Sequence, residues 1–277
     1  MTWREVFVSD RQLRPIWRCL LSVALIVAAY LLVVVVMGFT SHFLMGRARL
    51  FGGFTGSSVL MLPALLGVFK FMTGVFDRRP LGSVGLAFHP RWRAELGRGL
   101  VVGAVMILAV GGAEWLLGMA RFSLSTESPA QIAGSGLFLG LLLLIAAANE
   151  ELAFRGYPFQ RLMDSIGPVG AIAAFSILFG LGHIANPNHT VVSTLNTMLV
   201  GVPLAVAYLR TRALWLAGAI DLGRTPLGLH GLSLGVRGAL PATDTDLRVS
   251  SGGFNLIKAT DHREIDAMVG ALWASKR

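Results

Sequence analysis

The sequence is poor in cysteine and in charged residues, and each shortage excludes a class of protein. Cys19 is the single cysteine among 277 residues, so neither an internal disulfide framework nor a pair of cysteine metal ligands can form. Charged residues make up 14% of the chain and hydrophobic residues 54%, which is too apolar for an ordinary soluble domain. Lipid must therefore replace water around much of the folded surface.

Acidic residues are also scarce, and the imbalance gives a formal net charge of +9. The arginines lie in short clusters between apolar blocks and not along one face of a helix. This distribution excludes a nucleic-acid-binding protein and is typical of a membrane protein, whose short basic loops determine its topology.

Long apolar blocks predict the fold class, an all-α, polytopic transmembrane helical bundle with about six or seven spans. The first block is too long for a signal peptide and is interpreted as a retained span. The predicted spans are residues 17–39, 58–76, 96–119, 132–148, 169–185, 191–209 and, more weakly, 213–234. Residues 1–234 are thus predicted to form one membrane domain, and 235–277 a polar tail with a short amphipathic helix, too short to cross.

The positive charges also predict the orientation of the chain in the bilayer. Basic clusters precede the first span and follow the second, fourth and sixth, whereas the loops around 41–54, 122–131 and 186–190 carry few. Because positively charged loops stay in the cytoplasm, the amino terminus is predicted to be cytoplasmic.

Ionisable side chains stand at the end of the fourth apolar block, where each costs about 2.5 to 3.5 kcal/mol to insert. The block ends in Asn149-Glu150-Glu151, and Arg155 follows. Glu151 and Arg155 are four residues apart and can pair on one helical face. Glu150 points about 100° away and is left outside that pair. The simpler alternative is that all three charges mark the membrane boundary.

A histidine near the end of the fifth span gives Glu150 a partner. Phe179 and His183 share a helical face in Phe179-Gly180-Leu181-Gly182-His183. Alone, His183 would be interpreted as a packing residue, but with Glu150 it supplies the acid and base needed to activate water. If the fourth helix continues to about residue 163 and turns at 165–168, the two side chains reach the same depth. We then expect them within about 8 Å, a distance that one water can bridge.

With Glu150-Glu151-x-x-x-Arg155 and Phe179-x-x-x-His183, the chain resembles the CAAX prenyl protease and bacteriocin-processing family of intramembrane proteases. Arg210-Thr-Arg-Ala-Leu-Trp215 resembles the entry to that family's next motif, and the likeness covers about residues 78–221. The resemblance implies that Glu150 is a general base for water and that His183 holds this water or a metal ion. It implies structural support from Glu151, Arg155, Phe179 and Asn186.

The last motif of that family, His-x-x-x-Asn or His-x-x-x-Asp, is changed in this chain. Its two catalytic positions fall on Asp221 and Thr225. An ionised Asp221 cannot donate a hydrogen bond and would repel the negative charge that develops on an oxyanion. Asp221 could instead bind zinc together with Glu150 and His183, so the cofactor is zinc or none.

Two functions therefore stay open at this point. One is an intramembrane endopeptidase of the CAAX prenyl protease type, acting on a membrane-embedded or lipid-modified polypeptide. The other is an inactive family member that serves as a membrane scaffold or self-immunity protein. A third class, a proton-coupled transporter using Glu114, Glu150 and His183, lacks the expected inverted repeat. The sequence does not predict the oligomeric state.

Overall fold

The computed structural model describes residues 7–9, 12–43, 54–117, 120–124, 128–185, 190–223, 232–237 and 246–249. They divide into two compact units, which are described separately: Met1–Leu100 with Leu144–Leu222, and Val101–Leu143 with Gly223–Arg277. The seven α-helices of the described part are α1 (Pro15–Phe43), α2 (Phe54–Met72), α3 (Trp92–Leu116), α4 (Pro129–Arg155), α5 (Tyr157–Gly182), α6 (Val191–Thr211) and α7 (Leu214–Gly223). A π-helix (Thr73–Asp77) and a 3₁₀ helix (Leu81–Val84) follow α2. Two antiparallel strands of two residues each, β1 (Val8–Ser9) and β2 (Gln12–Leu13), precede α1.

These helices confirm an all-α membrane bundle. Five helical segments of the described chain are long and apolar enough to cross a bilayer: Pro15–Thr40, Gly56–Asp77, Trp92–Ala113, Gly136–Gly182 and Val191–Thr211. The fourth of these comprises α4 and α5, which were predicted as two spans. The protein is a multi-pass integral membrane protein, and its orientation in the membrane stays a prediction.

The weak seventh span, residues 213–234, is not formed as a continuous helix. Its helical part, α7, has 10 residues, which is about 15 Å of helix and half of the hydrocarbon thickness. Residues 232–237 form strand β4 instead. The reason is local, since Leu232, Leu234 and Val236 alternate with small or polar residues, and this period of two favours a strand.

The core of the first unit forms where α1, α2 and α5 pack together. Leu65 and Phe69 of α2 and Tyr157 and Phe159 of α5 are fully buried there. Other apolar side chains face outward, for example Val169, which is 79% exposed. In a bilayer such side chains contact lipid and carry no penalty.

Helices α5 and α6 approach each other closely because glycines lie at their contact. A Cβ added to Gly180 would overlap Met198 of α6, and one added to Gly201 of α6 would lie 2.9 Å from the Ser176 Cα. Small residues at such contacts are the usual packing device of membrane helices.

Two glycines determine the path of the chain between Glu150 and His183. The sequence predicts that the fourth helix continues to about residue 163, and this is wrong in one respect: α4 ends at Arg155, and Gly156 (φ −75°, ψ −138°) begins a new helix, α5. The turn predicted at 165–168 is present as a break within α5 at Gly167, with φ 80° and ψ 167°. These angles are open to glycine and strained for other residues.

The second unit contains a three-stranded antiparallel sheet of β3 (Ala120–Leu124), β4 (Leu232–Arg237) and β5 (Asp246–Val249), in the order β3-β4-β5. In its register, Ala120 pairs with Val236 and Leu124 with Leu232, while Leu234 pairs with Val249. The sequence did not predict this sheet. The division at residue 234 stays a prediction, and the amphipathic helix of the tail lies outside the described residues.

Candidate active site

The structure brings Glu150 and His183 together. Glu150 Oε2 on α4 lies 3.9 Å from His183 Nε2 at the end of α5, well inside the predicted limit. This distance is too long for a direct hydrogen bond but lets one water molecule contact both groups. The side chains are 32% and 24% exposed, respectively, although the Glu150 Oε2 atom itself is buried.

A hydrogen bond fixes the tautomer of His183. Its Nδ1 lies 2.7 Å from the backbone carbonyl oxygen of Phe179, one helical turn earlier. A carbonyl oxygen only accepts hydrogen bonds, so Nδ1 must carry a proton. In the neutral ring Nε2 is then an acceptor, and this nitrogen is the one that faces Glu150.

The neighbouring carboxylate, Glu151, belongs to a buried ion pair. Arg155 Nη1 donates to Glu151 Oε1 at 2.9 Å, and both residues are only 1% exposed. The second guanidinium nitrogen, Nη2, reaches the backbone carbonyl of Gly201 on α6 at 3.5 Å. A Cβ added to Gly218 of α7 would lie 3.5 Å from the Glu151 side chain. The predicted pairing is therefore present, and it lies where α4, α6 and α7 meet.

Phe179 separates the two charged pairs. Its ring lies 4.4 Å below the guanidinium carbon of Arg155, at cation–π distance, and 4.7 Å from the His183 ring. Phe154 of α4 meets the same ring edge-on at 5.0 Å. Phe179 is fully buried, and its ring packs against both His183 and the Arg155 guanidinium.

Sequence reasoning gave no role to Asn149 or Phe154. Asn149 Nδ2 donates to the backbone carbonyl of Ser58 on α2 at 2.8 Å. An amide at the end of an apolar span was a usable signal, because polar groups inside a membrane find protein partners. Phe154 gave no such signal, since an aromatic residue there is equally expected in contact with lipid.

The structure describes one of the three remaining predicted site residues. Asp221 is on α7 and is 3% exposed, while Thr225 and Asn186 lie outside the described residues. Within the described part of the chain, no three His, Cys, Asp or Glu side chains are grouped closely enough to bind a metal ion. Zinc sites have at least three protein ligands, and the described residues alone do not supply such a group.

An apolar cavity adjoins the ion pair within the first unit. Its empty space is about 580 Å³, part of which is open to the surroundings, and Glu151 and Trp215 are among its lining residues. Leucines and alanines of α3, α4 and α7 form most of the remaining wall. The cavity therefore suits an aliphatic group and not a polar one.

Together, the helices and the Glu150–His183 pair define a membrane bundle that holds a glutamate and a histidine 3.9 Å apart. Residues 132–221 match the family model described as Rce1-like, type II CAAX prenyl endopeptidase Rce1-like. The match spans 90 residues (221 − 132 + 1) of the 277 and includes Glu150, Arg155, Phe179, His183 and Asp221. The family model thus matches the segment that carries the motifs, which confirms the resemblance to CAAX-type intramembrane proteases. No curated protein and no solved structure matched the chain.

Proposed function

We propose that this protein is an intramembrane endopeptidase that hydrolyses a membrane-associated polypeptide with a water molecule activated by Glu150. The observation that supports the proposal is the 3.9 Å separation of Glu150 Oε2 and His183 Nε2. The hydrogen bond from His183 Nδ1 to Phe179 adds to it, because it turns the lone pair of Nε2 toward the same space.

In the proposed reaction, a single water molecule donates one hydrogen bond to Glu150 and a second one to His183. Its oxygen is thereby oriented, and Glu150 takes a proton as that oxygen attacks the peptide carbonyl carbon. The protonated Glu150 then gives this proton to the leaving nitrogen as the C–N bond breaks. Because Asp221 stands at the family's donor position, the mechanism assigns both proton transfers to Glu150, and His183 only orients the water.

The substrate proposed is a membrane-embedded or lipid-modified polypeptide. The bundle faces lipid, and the cavity beside Glu151 is lined almost wholly by apolar side chains, so the substrate's aliphatic part is the part that gains from entering. With the predicted topology, the site opens near the cytoplasmic leaflet.

A cleavage panel tests this function directly. Purified protein in liposomes is mixed with prenylated peptides and with transmembrane peptides, and Glu150→Gln is compared with wild type. We expect Glu150→Gln to lower the cleavage rate by about 10²- to 10⁴-fold, the usual contribution of a general base. Glu95→Gln is a matched control, because Glu95 also contacts a histidine, His89, at 3.2 Å but in another part of the fold.

Two results would argue against the endopeptidase. Equal cleavage by wild type and Glu150→Gln would remove Glu150 from the reaction. No cleavage by wild type, together with cleavage gained by the double variant Asp221→His and Thr225→Asn, would favour an inactive family member that binds a membrane partner.

A further inference from the structure

Three consecutive residues at the end of α4 contact three different helices. Asn149 reaches α2 through the Ser58 carbonyl, Glu150 faces His183 at the end of α5, and Glu151 lies against Gly218 of α7. Successive residues on a helix point about 100° apart, so these contacts surround α4. The rotation of α4 about its own axis is thus determined at this level of the fold.

We propose that Asn149 is a positioning residue whose hydrogen bond to Ser58 aims the carboxylate of Glu150 at His183. This inference rests on the proposed function only for its catalytic consequence. Asn149 is the neighbour of Glu150 on the same helix, and its partner Ser58 is 8% exposed. The bond at 2.8 Å is therefore short and partly buried.

The geometry explains why one hydrogen bond matters for Glu150. The carboxylate tip lies about 5 to 6 Å from the helix axis, so a rotation of α4 by about 15° moves it by roughly 1.5 Å. Such a movement from 3.9 Å would open the gap beyond what one tightly held water spans, or close it to a direct contact. Misplacement of a reacting group by about 1 Å can cost 10²-fold in rate.

The orientation of the Asn149 amide follows from its partner. The Ser58 carbonyl only accepts, so the nitrogen of the amide must face it. Pro63 lies five residues further along α2. It has no N–H and so removes the usual helical partner of the Val59 carbonyl, the residue after Ser58. The helical hydrogen bonding of α2 is thus interrupted next to the carbonyl that Asn149 contacts.

The test measures the position of the Glu150 carboxylate relative to His183 and does not require catalytic turnover. In protein labelled with ¹⁵N-histidine and reconstituted in liposomes, the Nε2 resonance of His183 reports what faces this nitrogen, and His183→Gln identifies the signal. Glu150→Gln gives the shift expected when the carboxylate is lost. We expect Asn149→Leu, similar in size but without a donor, to move the Nε2 resonance in the same direction, and Asn149→Gln, which keeps the donor, to retain the wild-type position.

Gln160→Met is the matched control, because Gln160 Nε2 also donates to a backbone carbonyl, that of Ser83, at 3.3 Å. It should leave the His183 resonance unchanged. If Asn149→Leu fails to fold, Asn149→Ala makes the same measurement with the best helix former. A wild-type Nε2 resonance in the folded donor-free variant would overturn the proposal.

Cleavage gives a second readout that separates this inference from the proposed function. We expect Asn149→Leu to lower the rate by about 10- to 100-fold and Gln160→Met to leave it unchanged. If wild type cleaves nothing, the proposed function fails while the resonance still decides the role of Asn149. If Glu150→Gln abolishes cleavage and Asn149→Leu changes neither readout, the function stands and Asn149 has no positioning role.

Discussion

Glu150 and Glu151 are adjacent residues of one type, and the fold gives them opposite surroundings. Glu150 is 32% exposed beside a histidine at 3.9 Å, whereas Glu151 is 1% exposed and bonded to Arg155 at 2.9 Å. One step of about 100° around the helix separates a partly exposed carboxylate beside a histidine from a buried ion pair. Chemistry thus follows from environment and not from residue type.

The largest change in stability is expected when the two carboxylates are replaced in turn by neutral amides. Glu151→Gln leaves the buried Arg155 without its counter-charge and should lower the free energy of unfolding by about 3 to 5 kcal/mol. Glu150→Gln should change it by less than about 1 kcal/mol, because its side chain is partly exposed.

Both free energies can be measured by denaturant titration in mixed micelles, followed by circular dichroism. We expect Glu150→Gln to lose cleavage and keep its stability. We expect Glu151→Gln to lose stability. Equal destabilisation by the two substitutions would mean that Glu150 is also structural.

A smaller effect is expected at Gly156, directly after Arg155. A Cβ at this position would overlap the Leu152 carbonyl oxygen and lie 3.1 Å from the Phe69 ring. Gly156→Ala should therefore cost about 1 to 3 kcal/mol of stability, as overpacking usually does, and should displace Arg155 from Glu151.

The same titration measures the effect of Gly156→Ala. Gly67→Ala is the matched control, because a Cβ at Gly67 of α2 would meet no atom within 4 Å and alanine favours helix. Equal stability of the two variants would show that the break at Gly156 tolerates a side chain.

The sequence was enough to predict the apolar helices up to residue 209, but not the span at 213–234, which was wrong. It also predicted the Glu150–His183 and Glu151–Arg155 pairs, because intramembrane charges and helical spacing carry that information. It did not predict the helix break at Gly156. At that break Gly156 lies against the ring of Phe69, a residue 87 positions earlier (156 − 69). The hydrogen bond of Asn149 to Ser58 spans 91 positions and was missed for the same reason, since no local pattern encodes it.

The smallest loss of stability is expected at Phe179. This residue lies between the Glu150–His183 and Glu151–Arg155 pairs, so replacing it tests whether the two pairs depend on each other. Its ring contacts the Arg155 guanidinium on one side and the His183 ring on the other. Phe179→Leu keeps an apolar side chain but removes both ring contacts. We expect a loss of about 1 to 2 kcal/mol in stability from the smaller volume and the lost cation–π contact.

The backbone carbonyl of Phe179 still accepts the bond from His183 Nδ1 in this variant, so the tautomer should persist and cleavage should fall only severalfold. Phe175→Leu is a suitable control, because Phe175 is buried on the same helix and packs on Phe159, away from both pairs. It should lose similar stability and leave the cleavage rate of the folded protein unchanged. A drop in rate as large as that of Glu150→Gln would instead mean that the ring itself holds His183 in place, and the two pairs would then act as one connected unit.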